Sequence, residues 1–261
     1  MSPKITIITV SYNSSSTIET TIRSVIEQDY PNKEYIIIDG KSMDGTQKII
    51  ERYRQYIDVF VSEKDEGISD AFNKGILRAT GDLIVMINSD DYLLPNVLTN
   101  VAERFDGTSD LYCGNLLLFN PETKYSCVIR PSLMFPVMPF FCRPAHQGVF
   151  VTKELYRKIG TYDPKIRYAM DLDFLMRATR NGAKFKYLDM NVAVFRLGGA
   201  TSDSILTKKK EYIYIVRKNG GNIFQAYFYY CFLVLTQTMK KVLNVKNLDI
   251  VRRIRYKQTA L

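Results

Sequence analysis

The sequence predicts an α/β fold built on a parallel, doubly wound sheet, and three observations predict it. Short β-branched runs alternate with helix-period segments four times before Phe105. Each run hands over to a cluster of polar residues, and right-handed crossovers carry such clusters to one edge of the sheet, where open α/β folds bind ligands. A chain of 261 residues with 46% apolar content can bury one large core, or a core with an appendage.

The first strand is Ile5 to Val10, ending in Ser11-Tyr12-Asn13. Ser16 and Glu19 have the spacing of a capping box, and Ile18, Ile22, Val25 and Ile26 fall on one face of the helix that follows. Tyr35 to Ile38 forms the second strand and ends in the turn-rich run Asp39 to Thr46. A helix through Ile49, Ile50 and Tyr53 leads to a third strand, Ile57 to Val61. Ser69 is positioned to cap a helix carrying Ala71, Phe72, Ile76 and Leu77, which stops near Gly81.

Leu83 to Ile87 is then a buried strand that delivers Asn88, Ser89, Asp90 and Asp91 at its carboxyl end. Two adjacent carboxylates suit a cation held against a phosphate, and equally a turn whose acids cap a helix near Pro95. No Gly-x-Gly-x-x-Gly follows the first strand, so the dinucleotide fingerprint is missing.

Beyond Phe105 the alternation breaks. Asp110 to Phe119 and Tyr125 to Arg130 read as paired strands about Asn120-Pro121-Glu122. The aromatic, proline-rich stretch Pro131 to Pro144 suits either a loop lining an acceptor cleft or a lid. A short helix around Leu155, a helix from Asp171 to Arg180 with Leu172, Leu175, Met176 and Thr179 inward, and a last strand Val192 to Phe195 complete this half.

The tail is distinct in charge. The chain carries +9 overall, and the twelve Lys and Arg after Ile205 face only Glu211 and Asp249, so residues 1–204 are near neutral. A nucleic-acid-binding core would carry basic residues across its own face, so nucleic acid is not an expected partner. Ile223 to Leu235 is aromatic and apolar but shorter than a membrane span. Flanked by Lys208 to Lys210, Lys240, Lys241, Arg252, Arg253 and Arg255, it suits a helix lying in an anionic membrane surface, or one packed on its own domain or in a dimer. Cys113, Cys127, Cys142 and Cys231 lack zinc-site or disulfide-framework spacing and read as reduced thiols of a cytosolic compartment. The start of the chain is too short and strand-like for a secretory signal, so the catalytic portion is expected not to be exported and to be cytoplasmic.

Taken together, these segments resemble glycosyltransferase family 2, the inverting enzymes of the GT-A fold, in particular the bacterial members that build surface polysaccharides. The matching pieces are Thr9 to Asn13, Ile38 to Thr46, Ser62 to Gly75, Asn88 to Asp91, His146-Gln147, Ala169 to Phe174 and Phe195 to Gly199. The resemblance covers about residues 5–203. It implies a mostly parallel nucleotide-diphospho-sugar transferase sheet flanked by helices. Residues 1–204 would form the catalytic domain, with 1–105 the nucleotide-binding half and 106–204 the acceptor-binding half; residues 205–261 form a helical tail.

The resemblance also implies roles. Thr9, Tyr12, Asp39 and Asp65 would hold the base and ribose of a nucleotide-sugar donor, with a UDP-sugar expected. Asn88 and Asp90 would lie by the ribose and diphosphate, and Asp90 and Asp91 would hold Mg²⁺ or Mn²⁺, which neutralises charge on the leaving nucleotide. Here the sequence departs from the family's Asp-x-Asp, because its first position is Asn88, a poorer metal ligand. Inversion asks for one base to deprotonate the acceptor hydroxyl, and Asp171 is the choice, with Asp173 second and the alternative that Asp171 caps its helix. His146 would border the acceptor. The expected reaction transfers a sugar to a hydroxyl of a glycan, polyprenyl-linked, at the inner face of the cytoplasmic membrane. The competing readings are a nucleotidyltransferase of similar sheet architecture and a non-catalytic membrane-surface module. Oligomeric state is open.

Overall fold

A computed structural model describes residues 2–131, 145–197 and 208–242, with side chains through Leu235. Its first part follows the predicted alternation: β1 (Ile5–Ser11), α1 (Ile18–Ile26), β2 (Lys33–Asp39), α2 (Thr46–Arg52), β3 (Val59–Ser62), α3 (Ile68–Arg78) and β4 (Leu83–Asn88). β1 lies between β2 and β4, β3 flanks β2, and all three pairings are parallel. The carboxyl ends of four strands therefore share one edge.

β1, β2 and β4 are buried on both faces, while the edge strand β3 is half-buried. Ile8, Val10, Ile36 and Ile38 pack in one apolar cluster with α3, while Ile5, Ile7, Ile37 and Val85 pack in the other with α1. Gly75 lets α3 lie against β1, since a Cβ there would stand 2.5 Å from Cγ2 of Ile8.

Two expected helix caps are not formed. The Thr17 and Ile18 N–H groups both donate to the backbone carbonyl of Ser14, and Glu19 accepts from the Tyr53 hydroxyl at 2.6 Å, so Ser16 and Glu19 make no capping box. α3 follows Gly67, and the Ser69 hydroxyl donates instead to the carbonyl of Ile166 at 2.6 Å.

The second half is β5 (Tyr92–Leu93), α4 (Val97–Glu103), β6 (Leu111–Phe119), β7 (Ser126–Ile129), β8 (Val149–Thr152), α5 (Lys153–Ile159), α6 (Met170–Arg180) and β9 (Phe185–Arg196). The strand order is β3-β2-β1-β4-β8-β6-β9-β5, with β7 paired to β6. The sheet is parallel through β1 to β4 and mixed beyond them: β8 runs antiparallel to β4 and β6, while β9 runs parallel to β6. The last strand begins seven residues before the predicted Val192, because its exposed Asp189 and Asn191 hide the pattern that its pairing with β6 imposes. The predicted Pro131–Pro144 loop lies, from residue 132 on, outside the described residues, as do residues 198–207.

The expected boundary at 204 does not coincide with a break in packing. α7 (Lys209–Lys218) and α8 (Ile223–Val242) contribute Tyr212, Ile215, Val216, Ala226, Tyr229 and Tyr230 to the cluster that also holds Leu172, Phe174 and Leu175 of α6. No helix among the described residues is long and apolar enough to cross a membrane.

Candidate active site

At the shared strand edge the predicted nucleotide residues separate into a floor and a rim. Asp39 belongs to the floor. It is fully buried, and its carboxylate accepts from the hydroxyls of Ser11 (2.9 Å), Ser42 (2.5 Å) and Ser62 (2.7 Å) and from the Ser42 N–H (2.9 Å). These bonds fill its acceptor positions, so without a ligand it ties the strand ends together beneath the expected donor site. Thr9 lies lower still. Its side chain shares a face with Ile7, is fully buried, and pairs with the Tyr35 hydroxyl at 3.2 Å beneath the sheet.

The rim is Tyr12 and Asp65. Tyr12 is 68% exposed, an aromatic face open for stacking on a base. One Asp65 oxygen accepts from the Gly67 N–H at 2.9 Å, and the other lies where a Cβ on Gly40 would approach to 2.5 Å. The missing side chain of Gly40 thus makes room for a free carboxylate oxygen next to the Tyr12 ring. The turns beneath are held by Asn13, whose N–H donates to Ser42 Oγ at 2.8 Å, and by Asp44, which accepts from the Ser15 N–H at 2.9 Å and the Thr46 hydroxyl at 2.6 Å.

At the end of β4 the two adjacent acids have different surroundings. Asp91 is fully buried. One oxygen accepts from the Arg196 N–H at 2.9 Å, and the other from Gln147 Nε2 at 2.7 Å and Asn88 Nδ2 at 3.3 Å. Burial, reinforced by the charge of Asp90, pushes its carboxyl up to about 7. Of the two expected metal ligands, Asp91 is the enclosed one, its oxygens facing three donors inside the protein. Asp90 is half-buried, with its carboxyl raised by burial, and among the described residues no other side chain hydrogen-bonds it.

Among the described residues no three His, Cys, Asp or Glu side chains converge as a metal cage. One open carboxylate fits Mg²⁺ or Mn²⁺ in the form that takes one or two carboxylates plus phosphate oxygens. A residue that sequence reasoning left without a role stands beside it. Arg196 lies close enough to Asp90 to counter its charge, stacks over Tyr92 at 5.2 Å, and keeps its Nε buried without a hydrogen-bond partner. Its sequence signals were its place at the carboxyl end of the last strand and within the matching run Phe195 to Gly199.

Across the edge, Asp171 lies in the first turn of α6, inside the helix and not at its cap, which is Ala169. Its Oδ1 accepts from the Leu172 N–H at 2.8 Å. Asp171 and His146 share the lining of a small apolar cavity with Met86, Tyr156, Tyr162 and Phe174. His146 Nε2 lies 3.3 Å from Asn88 Oδ1, and its ring meets Phe72 edge-on at 5.5 Å. Burial lowers the His146 pKa against the pull of Asp171. A neutral imidazole donating to Asn88 joins the two halves of the site.

Asp173, the second choice, is fully buried and accepts from Arg177 Nε (2.9 Å), Lys218 Nζ (3.1 Å) and Asn219 Nδ2 (3.0 Å).

Comparison with known proteins identifies the family and the fold. The family profile described as Glycosyl transferase family 2 matches residues 6–167. An uncharacterized glycosyltransferase of Mycobacterium tuberculosis is 30% identical over 182 residues, covering 67% of this chain and 69% of its own. A PGL/p-HBAD biosynthesis glycosyltransferase of Mycobacterium bovis is 26% identical over 215 residues, 79% of this chain and 82% of its own. Among solved structures, S. aureus TarS 1-349 in complex with UDP-GlcNAc superposes with TM-score 0.66 at 20% identity, covering 82% of this chain. The chain spans 66% of that structure, just under two thirds. The mannosyltransferase PcManGT from Pyrobaculum calidifontis in complex with GDP-Man and Mn²⁺ superposes with TM-score 0.63 at 20% identity, over 88% of this chain and 70% of its own.

Proposed function

Because the chain belongs to glycosyl transferase family 2 and is a glycosyltransferase, we propose that it transfers a sugar with inversion from a nucleotide-diphosphate sugar to a hydroxyl of a glycan acceptor. The observation that carries this reading is the edge of the parallel strands. There the open Asp90 carboxylate and the unpartnered Arg196 Nε lie together, and His146 bonds Asn88 on that side while sharing a cavity with Asp171 on the other.

In this reading Tyr12 stacks on the base and the free Asp65 oxygen accepts from a base N–H or ribose hydroxyl. A UDP-sugar is the donor. Asp90 would hold Mg²⁺ or Mn²⁺, which would neutralise charge developing on the diphosphate. The Arg196 guanidinium, close to Asp90, would add a second positive charge on that side. Asp171 takes the proton from the acceptor hydroxyl as that oxygen attacks the anomeric carbon opposite the leaving group. His146 and Asn88 fix the spacing between the two sides.

The acceptor is polyprenyl-linked, in surface-polysaccharide assembly at the inner face of the cytoplasmic membrane. What supports this placement is α8, which buries Ala226, Tyr229 and Tyr230 against the domain and turns Phe224 (82% exposed), Phe228 (66%) and Leu235 (58%) outward. Aromatics on an outward helical face beside Lys209, whose Nζ lies 5.3 Å from the Tyr227 ring centroid, suit an anionic membrane surface.

The test is a melting panel with UDP, GDP, dTDP and CMP, each with Mn²⁺ or with chelator. One nucleoside diphosphate should stabilise by roughly 2.7 kcal/mol at a hundred times its dissociation constant. Asp171→Asn should keep that shift while transfer falls by about 10²–10⁴. Silence across the whole panel, or stabilisation by triphosphates with release of pyrophosphate, would sink the proposal.

A further inference from the structure

The base proposed above stands on a short segment of chain, and α7 grips that segment on both sides. Upstream, the Glu211 carboxylate accepts from the backbone N–H groups of Arg167 and Tyr168, the latter at 3.0 Å. These are the residues that lead into α6. Downstream, Asp173, two residues after Asp171, meets Lys218 Nζ and Asn219 Nδ2. Lys218 also reaches Asp163 at 2.7 Å, and the Tyr214 hydroxyl donates to the same Asp163 oxygen at 3.0 Å. Three residues of one helix, with Asn219 at its C-cap, thus hold the chain before, at the entry to, and within the first turn that carries Asp171.

The charges make these ties strong. Asp173 is fully buried with its cationic partners half-buried, and leaving a buried carboxylate without them is costly. Glu211 satisfies two N–H groups that the loop cannot pair within itself. The opposite side of the loop is fixed by the nucleotide half: Asn73 pairs with both the N–H and the carbonyl of Tyr162 at 2.9 and 2.8 Å, and Ser69 takes the Ile166 carbonyl. The segment is therefore suspended between α3, which lies under the donor edge, and α7, which leads into the outward aromatic face of α8.

We infer that α7 is a positioning element for the reaction, with Glu211 and Lys218 as the positioning residues that set where the Asp171 carboxylate stands relative to the donor edge. The inference rests on the reading of Asp171 as the base. It assigns to the basic tail a part in the chemistry, besides any in attachment.

The test uses the full chain and two readouts. In protein labelled with carboxyl-¹³C aspartate, the Asp171 resonance is assigned by its loss in Asp171→Asn. It should move in Glu211→Ala, return in Glu211→Gln, which keeps one acceptor oxygen, and move again in Lys218→Met, while the Asp39 and Asp65 resonances stay in place. In parallel, release of nucleoside diphosphate from UDP-GlcNAc or GDP-mannose with Mn²⁺ should fall roughly 10- to 100-fold in kcat for Glu211→Ala, with donor KM held within about twofold. A stationary Asp171 resonance would overturn the inference, and so would all carboxyls moving together or a loss confined to KM. A wild-type chain that turns over neither donor counts against the proposed donors and leaves the resonance to decide this point alone.

Discussion

The side-chain amide of Asn88 donates to Asp91 Oδ2 at 3.3 Å. Its carbonyl oxygen faces His146 Nε2 at the same distance. An amide at this position can donate to one neighbour and accept from the other, which a carboxylate cannot do.

Asn88→Asp, which restores the Asp-x-Asp spacing, should therefore destabilise the protein in chelator. Two carboxylates would share a buried site, at a cost of about 1–3 kcal/mol. Mn²⁺ should recover more of the melting temperature in the variant than in the wild type. Equal melting curves in chelator would show that Asn88 does not have to donate to Asp91.

Gly40→Ala should weaken nucleotide binding with little change in the sheet. The new methyl would sit 2.5 Å from Asp65 Oδ2 and 3.2 Å from the Tyr12 ring, displacing both rim groups. A tenfold or greater rise in the dissociation constant is expected, about 1.4 kcal/mol. Calorimetry with the nucleotide selected by the melting panel decides it, and unaltered affinity would remove Asp65 from the donor site.

The two faces of α8 should respond differently. Phe224→Ser with Phe228→Ser changes only outward groups and should leave stability within about 0.5 kcal/mol while lowering binding to vesicles of anionic lipid at least tenfold. Tyr229→Ala removes a ring that is 2% exposed and packed edge-on against Tyr212 at 6.0 Å. It should cost about 3–5 kcal/mol. Vesicle binding that survives the double serine change would argue for another attachment surface, or none.

Glu34 should make the protein acid-sensitive. Burial raises its carboxyl, but hydrogen bonds from the Thr6 hydroxyl, the Thr80 N–H and hydroxyl, and Lys4 outweigh burial and hold it below its ordinary value. A depressed carboxyl stabilises the fold above its unfolded pKa, and that contribution is lost as pH falls through the folded value. Glu34→Gln should cost about 1–3 kcal/mol at pH 7, and the gap to the wild type should narrow below about pH 4. Melting curves from pH 3 to 7 would measure the gap, and a constant difference would contradict the account.

Much of the fold was legible. β1, β2 and β4 carry dense apolar, largely β-branched runs because they are buried on both faces, and the hairpin of β6 and β7 announced itself through its turn. What stayed hidden depends on distant partners. Ser69 has the right type for a cap, but its hydroxyl is taken by Ile166, nearly a hundred residues on. Thr9 and Asp39 sit in the right motifs, but only the packed sheet shows that one lies beneath it and the other is enclosed by serines. α7 was partly readable, since Tyr212, Ile215, Val216 and Asn219 repeat at helical spacing, although the surrounding lysines draw attention to charge instead. The division of labour between Asp90 and Asp91 had no signal in sequence, because adjacent residues on a turn differ only in which way they face.

The ring of serines around Asp39 bears on how this enzyme could be re-tuned. Because Ser11, Ser42 and Ser62 anchor three separate segments to one carboxylate, the foundation of the nucleotide site is a single rigid piece that tolerates little editing. Diversity in what the site accepts must then come from Tyr12, Gly40 and Asp65, which sit on that foundation without supporting it. A library confined to those three positions should yield folded variants with altered nucleotide choice, whereas one that includes the serines should mostly yield misfolded protein.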